Sequence, residues 1–332
     1  MQRRTQSATT SPWTSHIYPF IRRYEDGRIE RFVRSSFVPA SADPAASGGV
    51  ATRDVVVQDA TGVSARLFLP SGAAATCSRL SVVLYIHGGC FCTDSAFSRT
   101  YHRYAASLAA RAGALVVSVE YRLAPEHPIP AAYDDAWAAL RWVATTASLS
   151  DPWISAHADP RRVFLAGDSV GGNIAYHTAV RASRDDGTSV DVEGVIMVQP
   201  YLWGGERLPA EEAWDGVAMF PPELVEKLWP FVTAGQAGND DPRIDPPDEE
   251  IASLKCRRAL VALAGKDIFR HRARRLASRM RDGAWKGSVT LVELEGEDHC
   301  FHLYRPQRAT SHKLMQSIVQ FINQPIRGIS KF

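Results

Sequence analysis

The sequence predicts an α/β fold: a mostly parallel eight-stranded sheet with helices on both faces and a helical cap. Three observations carry this reading. Short β-rich runs alternate with segments of helical apolar spacing along most of the 332 residues, the order that builds parallel sheets from crossover units. Several runs are apolar almost throughout, as strands covered on both faces must be. The stretch RVFLAGDSVGGN at 162–173 passes from a β-branched run into a helix-forming segment across a serine flanked by glycines.

Taken in chain order, the predicted strands are 52–58, 63–69, 80–86, 114–119, 162–166, 193–199, 258–264 and 288–294. The first two are joined by the turn residues DATG and form an antiparallel pair at the sheet edge. Helical spacing covers 98–112, 130–147, 169–184, 270–282 and 310–323, with Pro128 and Pro130 punctuating the approach to the second.

Two intervals break the alternation and divide the chain. Residues 1–50, polar, aromatic and arginine-rich, form a leader and lid segment; 51–203 are the first part of the core; 204–252 are a cap insertion; 253–332 complete the core. Long insertions at the carboxyl ends of strands usually cover the site in such folds. Trp203, Trp214, Met219, Phe220, Leu224, Leu228, Trp229 and Phe231 are candidate pocket wall, with Phe91, Trp203, Trp214 and Phe220 taken as substrate-binding. The competing reading is that these aromatics only glue the cap to the core.

The 38 basic and 36 acidic residues are interspersed, with a net charge of +2. No basic stripe points to nucleic acid, so the partners expected are small molecules. The five cysteines, Cys77, Cys90, Cys92, Cys256 and Cys300, lack zinc-like paired spacing and read as reduced intracellular thiols. No stretch has the length of a membrane span, and the N-terminus has no apolar signal core. The compartment expected is the cytoplasm. A basic, Ser/Thr-rich start without acidic residues before Glu25 keeps an organelle transit peptide as the alternative. A monomer or dimer is expected, with no metal and no organic cofactor.

Between Gly167 and Gly171, Ser169 sits on a sharp strand-to-helix turn whose two arms approach closely because neither glycine has a Cβ. This is the nucleophile elbow of an α/β-hydrolase. A serine hydroxyl is a weak nucleophile and needs a base, and the base needs an orienting carboxylate. In this fold the chain order is Ser, then Asp or Glu, then His. Asp267 follows the strand at 258–264 and His299 follows the strand at 288–294. Asp298 is adjacent to His299 and badly placed for the imidazole edge, Asp168 is locked in the elbow, and His302 lies on the segment that follows. The oxyanion of a tetrahedral intermediate needs N–H donors, each contributing roughly 3 kcal/mol to its stabilisation. VVLYIHGGCFC at 82–92 runs from a strand into such a loop, assigning Gly88, Gly89 and Cys90 as donors with Val170 of the elbow.

With these residues in place, the chain resembles the plant carboxylesterases of the hormone-sensitive-lipase-like class. The resemblance rests on HGGCF at 87–91, YRLAPEHPIPAAYDDAWAALRW at 121–142, GDSVGGNIAYH at 167–177, GEDHCFHLY at 296–304 and the leader YPFIRRYEDGRIERF at 18–32. It implies a serine esterase with the triad Ser169, Asp267 and His299, acting on short- to medium-acyl esters of small molecules through an acyl-enzyme. Two residues depart from the family pattern: Cys90 stands where a third glycine is usual, and Val170 where alanine is frequent. Cys90 is expected to narrow the pocket and to expose the protein to thiol reagents. The family also holds gibberellin receptors, which lack the triad histidine, and dehydratases with threonine at the nucleophile position. His299 and Ser169 argue against these two alternatives.

Overall fold

The computed structural model describes residues 13–72, 79–145, 151–185 and 191–325; Cys77 and leader residues 1–12 lie outside them. The chain opens with a small antiparallel sheet of β1 (Trp13–Ile17), β2 (Ile21–Tyr24) and β3 (Ile29–Arg31). Asp26-Gly27 turns the second hairpin, with Gly27 at φ 82° and Asp26 accepting the Arg28 N–H. This sheet was not foreseen, because its strands are short and rich in arginine.

The core follows as β4 (Val50–Gln58), β5 (Val63–Pro70), β6 (Leu80–Ile86), helix α1 (Arg99–Ala112), β7 (Leu115–Glu120), α2 (Ala131–Ala144) and α3 (Pro152–His157). Next come β8 (Ala158–Asp168), α4 (Val170–Arg184) and β9 (Val192–Val198). Three helices lie between β9 and the next strand: α5 (Pro209–Glu212), α6 (Pro222–Val232) and α7 (Asp248–Ala252). The chain then adds β10 (Arg258–Ala264), α8 (Arg270–Asp282), β11 (Ser288–Leu294), α9 (Phe301–Tyr304) and α10 (Ala309–Asn323).

All eight predicted strands pair in one sheet, in the order β11-β10-β9-β8-β6-β7-β5-β4. The six strands from β11 to β7 are mutually parallel, and at one edge β5 runs antiparallel between β7 and β4. β8 begins at Ala158, earlier than the sequence suggested, because its polar start pairs with Leu80 across an irregularity. Alternation then sorts side chains to two cores. Val82, Leu84 and Ile86 of β6 lie on the sheet face that α2, α4 and α8 cover, while Val83 and Tyr85 lie on the face that α1 and α10 cover.

Register decides where the chemistry sits. Ile86 pairs with Gly167, Asp168 with Val198, Val198 with Ala262, and Ala264 with Leu294. The carboxyl ends of β6, β8, β9, β10 and β11 therefore finish level, and their loops emerge at one edge, where ligands bind in open α/β sheets.

Candidate active site

Ser169 follows β8 directly and adopts φ 54°, ψ −123°, a strained conformation for a residue with a side chain. The glycines explain how the turn closes. A Cβ on Gly167 would lie 2.3 Å from the Gly171 carbonyl, and one on Gly171 would lie 2.1 Å from the Ile86 carbonyl oxygen. Hydrogen bonds fix the serine backbone from both sides: its N–H donates to Val198 O and its carbonyl accepts from Tyr201 N, each at 2.9 Å.

His299 bridges two residues delivered by different strands. Its Nδ1 lies 2.8 Å from Asp267 Oδ2, and its Nε2 lies 2.9 Å from Ser169 Oγ. A carboxylate only accepts, so Nδ1 carries the proton and the Nε2 lone pair faces the serine hydroxyl. Burial alone would lower the imidazole pKa. The charge and hydrogen bond of Asp267, with the charges of Asp168 and Asp298, outweigh it and hold His299 above the ordinary 6.5. Asp267 also accepts the Phe269 N–H through Oδ1, which fixes the carboxylate plane.

The neighbours of the catalytic loop are held as firmly. Asp298 does not touch the imidazole edge; its Oδ1 accepts the His299 N–H and its Oδ2 the Met219 N–H, each at 2.7 Å. Gln199 Oε1 accepts the Cys300 N–H at 2.7 Å. Asp168 is buried beneath the elbow, where it accepts from Tyr85 Oη and Tyr101 Oη. His302 is buried in α9 with its ring against Tyr104, away from the serine–histidine bond.

One predicted oxyanion donor is not available. The Gly88 N–H donates to Tyr101 Oη at 2.9 Å, so the hydroxyl that holds Asp168 also ties up this amide. The amides of Gly89, Cys90 and Val170 make no hydrogen bond among the described residues. Cys90 and Val170 share a cavity wall with Ser169. Cys90 sits at φ 56°, a left-handed conformation that glycine would adopt without strain. Burial pushes its thiol far above the ordinary value, so it is protonated at neutral pH. A buried thiol without thiolate character is a poor target for thiol reagents, which argues against the expected sensitivity.

The cavity over Ser169 is apolar and small, about 20 Å³, close to the room one water needs. The N-terminal sheet contributes Ile17 and Phe20, and the segment around α6 contributes Phe220, Leu224, Val225 and Leu228. Tyr201 and Phe269 complete the wall from the ends of β9 and β10. Phe220 and Phe269 each place a ring edge-on to the His299 imidazole, with centroids 5.1 Å away.

Of the four residues taken as substrate-binding, the structure brings only Phe220 to this cavity. Phe91 is buried behind it against Tyr133, Tyr201 and Trp229. Trp203 is buried beneath the Arg272 guanidinium, which pairs with Glu211 of α5, so it packs the insertion onto the core. Trp214 is 37% exposed and does not line the cavity. Leu224 and Leu228 do line the wall, whereas Met219, Trp229 and Phe231 do not. Ile17, Phe20, Tyr201, Val225 and Phe269 were missed. Position offered a signal for two of them: Tyr201 follows the end of β9, and Phe269 follows Asp267 in the same loop.

Comparison with known proteins agrees with this architecture. The alpha/beta hydrolase fold family matches residues 83–303. Probable carboxylesterase 3 of Arabidopsis thaliana is 37% identical over 93% of this chain and 98% of its own length. The 2-hydroxyisoflavanone dehydratase of Glycyrrhiza echinata is 38% identical over 96% of this chain and 98% of its own. A hyperthermophilic esterase from the archaeon Pyrobaculum calidifontis superposes with a TM-score of 0.68 at 28% identity, covering 82% of this chain and 84% of that one. The chain belongs to the alpha/beta hydrolase fold family and, within it, to the plant carboxylesterases of the hormone-sensitive-lipase-like class. No helix among the described residues is long and apolar enough to cross a membrane.

Proposed function

We propose that this protein is a serine carboxylesterase hydrolysing short- to medium-acyl esters of small molecules through an acyl-enzyme. One observation carries the reading: the imidazole of His299 lies between Ser169 Oγ and Asp267 Oδ2 at hydrogen-bond distance on both sides. Ser169 Oγ attacks the ester carbonyl as its proton passes to His299 Nε2, and the carbonyl oxygen becomes an oxyanion facing the free amides of Gly89, Cys90 and Val170. The carbon–alkoxide bond then breaks while His299 returns the proton to the departing alcohol. Water, deprotonated by the same nitrogen, attacks the acyl-enzyme, and collapse releases the acid and restores the serine. Asp267 holds the tautomer and stabilises the imidazolium throughout. The tight apolar cavity supports a small acyl group. The buried free thiols of the four described cysteines support a reducing compartment, which we take to be the cytoplasm.

Turnover of p-nitrophenyl acetate and butyrate tests the triad. Ser169→Ala and His299→Ala are each expected to lose at least about 10⁴-fold in kcat. Undiminished turnover in either variant removes the assignment. The dehydratase relative motivates a second reading, in which the same base drives elimination of water from a hydroxylated substrate. An enzyme inert to both esters that dehydrates 2-hydroxyisoflavanone would establish it.

A further inference from the structure

The cavity wall contains one group that ester hydrolysis by the triad leaves unused. Tyr201 is 1% exposed and lines the cavity with Ser169, and its Oη has no hydrogen-bond partner among the described residues. Buried hydroxyls are almost always satisfied, and an unpaired one costs stability that some other role must offset. The ring cannot swing away to find a partner. It stands edge-on to Phe91 and Phe269, with centroids 6.0 and 5.4 Å away, and stacks beside Trp229. Its backbone is pinned on both sides: the Tyr201 N–H donates to Ser169 O at 2.9 Å, and Asn173 Nδ2 donates to the Tyr201 carbonyl at 3.1 Å. The hydroxyl therefore has a position fixed relative to the nucleophile.

No side chain of the described residues pairs with it. Cys90, on the same wall, carries a protonated thiol, a weak partner. Tyr133 donates its own hydroxyl to Asn173 Oδ1 at 2.6 Å. Apart from Ser169 itself, the rest of the wall is hydrocarbon, including Ile17, Phe20, Leu224, Val225 and Leu228. A wholly apolar acyl chain would leave Tyr201 Oη unpaired in the complex as well, whereas a chain bearing one oxygen would pair it.

We propose that Tyr201 is a specificity-determining residue and that the preferred substrates are esters whose acyl chain carries an oxygen, as a ketone or hydroxyl, that hydrogen-bonds Tyr201 Oη inside an otherwise apolar cavity. The inference rests on the esterase reading and names the substrate class of that site. Discrimination follows from the asymmetry of buried polar groups: a site built to hydrogen-bond an oxygen disfavours the analogue that lacks it more than an apolar site disfavours one extra methylene.

The test compares the p-nitrophenyl esters of pentanoate and 4-oxopentanoate, and of hexanoate and 5-oxohexanoate, each rate divided by that ester's hydroxide-catalysed rate. In the wild type, at least one oxo ester is expected to exceed its hydrocarbon partner about tenfold in kcat/KM, with the difference mainly in KM. In Tyr201→Phe, which keeps the ring and removes only the oxygen, that ratio is expected to fall to about one. Any packing change that slows both esters divides out of the ratio. A wild type without preference for either oxo ester overturns the proposal while leaving the esterase intact, as does a preference that survives in Tyr201→Phe. A wild type that hydrolyses none of the four esters removes the esterase reading and this inference with it.

Discussion

On the core side of the cavity, the reacting groups stand on backbone that has no room to move, whereas the facing wall is made of side chains of α6 and the N-terminal sheet held mainly by apolar packing. Ser169 is locked by two hydrogen bonds and by glycines whose neighbours already occupy the space a Cβ would need. Opposite it, residues 214–219 are largely exposed, and Met219 N–H on Asp298 is the polar contact joining that stretch to the catalytic loop. The α5 helix is anchored through Glu211 and Arg272, and the N-terminal sheet through Arg31, which pairs with Glu126 and donates to the Cys92 carbonyl. Catalysis requires the first kind of construction, since reacting atoms must be placed within a fraction of an ångström. A cavity of about 20 Å³ requires the second, because no ester enters without outward movement of Phe220 and the α6 side chains.

The largest effect is expected where the core side is tightest. In Gly171→Ala the new methyl would meet the Ile86 carbonyl oxygen at 2.1 Å, and neither backbone can give way. The loss should reach about 3 kcal/mol or more, with activity abolished in whatever folds, as read by chemical denaturation and p-nitrophenyl acetate turnover. Leu228→Ala on the opposite wall removes a buried side chain and should cost about 2–4 kcal/mol. Activity should persist, with preference shifted toward longer acyl chains. A Gly171→Ala enzyme that keeps full activity, or a Leu228→Ala enzyme with an unchanged chain-length profile, would erase the contrast between the two sides.

The same contrast explains what could be read from the sequence. Strands buried on both faces announce themselves as apolar runs, so β4 to β11 and the five long helices were legible, as were Ser169, Asp267 and His299 at the strand ends that the fold makes reactive. The antiparallel edge was legible from the DATG turn. Contacts made across the fold were not. Nothing in HGGCFC says that Tyr101 occupies the Gly88 amide, because that bond joins a loop to a helix whose relative position only the folded sheet sets. The wall contributed by Ile17 and Phe20 was hidden for a related reason. Its strands are short and half polar, and Asp26-Gly27 was the one local sign of a hairpin. For Trp203, helical and loop aromatics look alike in sequence whether they glue or line, and here Arg272 decides for glue.

A smaller effect probes the one polar contact between exposed stretch and catalytic loop. Because His299 must be neutral to accept the serine proton and its pKa is raised, kcat/KM should rise with pH through a midpoint above the ordinary 6.5. Asp298 contributes to that rise through its charge. Asp298→Asn removes the charge and can accept only one of the two N–H groups the carboxylate now holds. The acid limb should move to lower pH, with kcat reduced roughly tenfold from the loosened loop. An unmoved limb would show that the Asp298 charge does not reach the imidazole, leaving Asp267 as the principal source of the shift.

The smallest effect is expected at Cys90, where the two sides meet. Its left-handed backbone carries strain of about 1–2 kcal/mol that Cys90→Gly would relieve. The added freedom of glycine in the unfolded chain takes back roughly 0.5–1 kcal/mol, and the lost burial of the thiol offsets most of the remainder. Stability should therefore change by less than about 1 kcal/mol, measurable as a small shift in Tm. The kinetic consequence should be larger than the thermodynamic one. Removing the side chain next to the free amides widens the wall beside Ser169, and octanoate esters should gain relative to acetate. Iodoacetamide should inactivate the wild type no faster than Cys90→Gly, because the thiol is protonated and enclosed. Rapid inactivation of the wild type alone would show that the opened cavity admits the reagent and that the Cys90 thiol reacts within it.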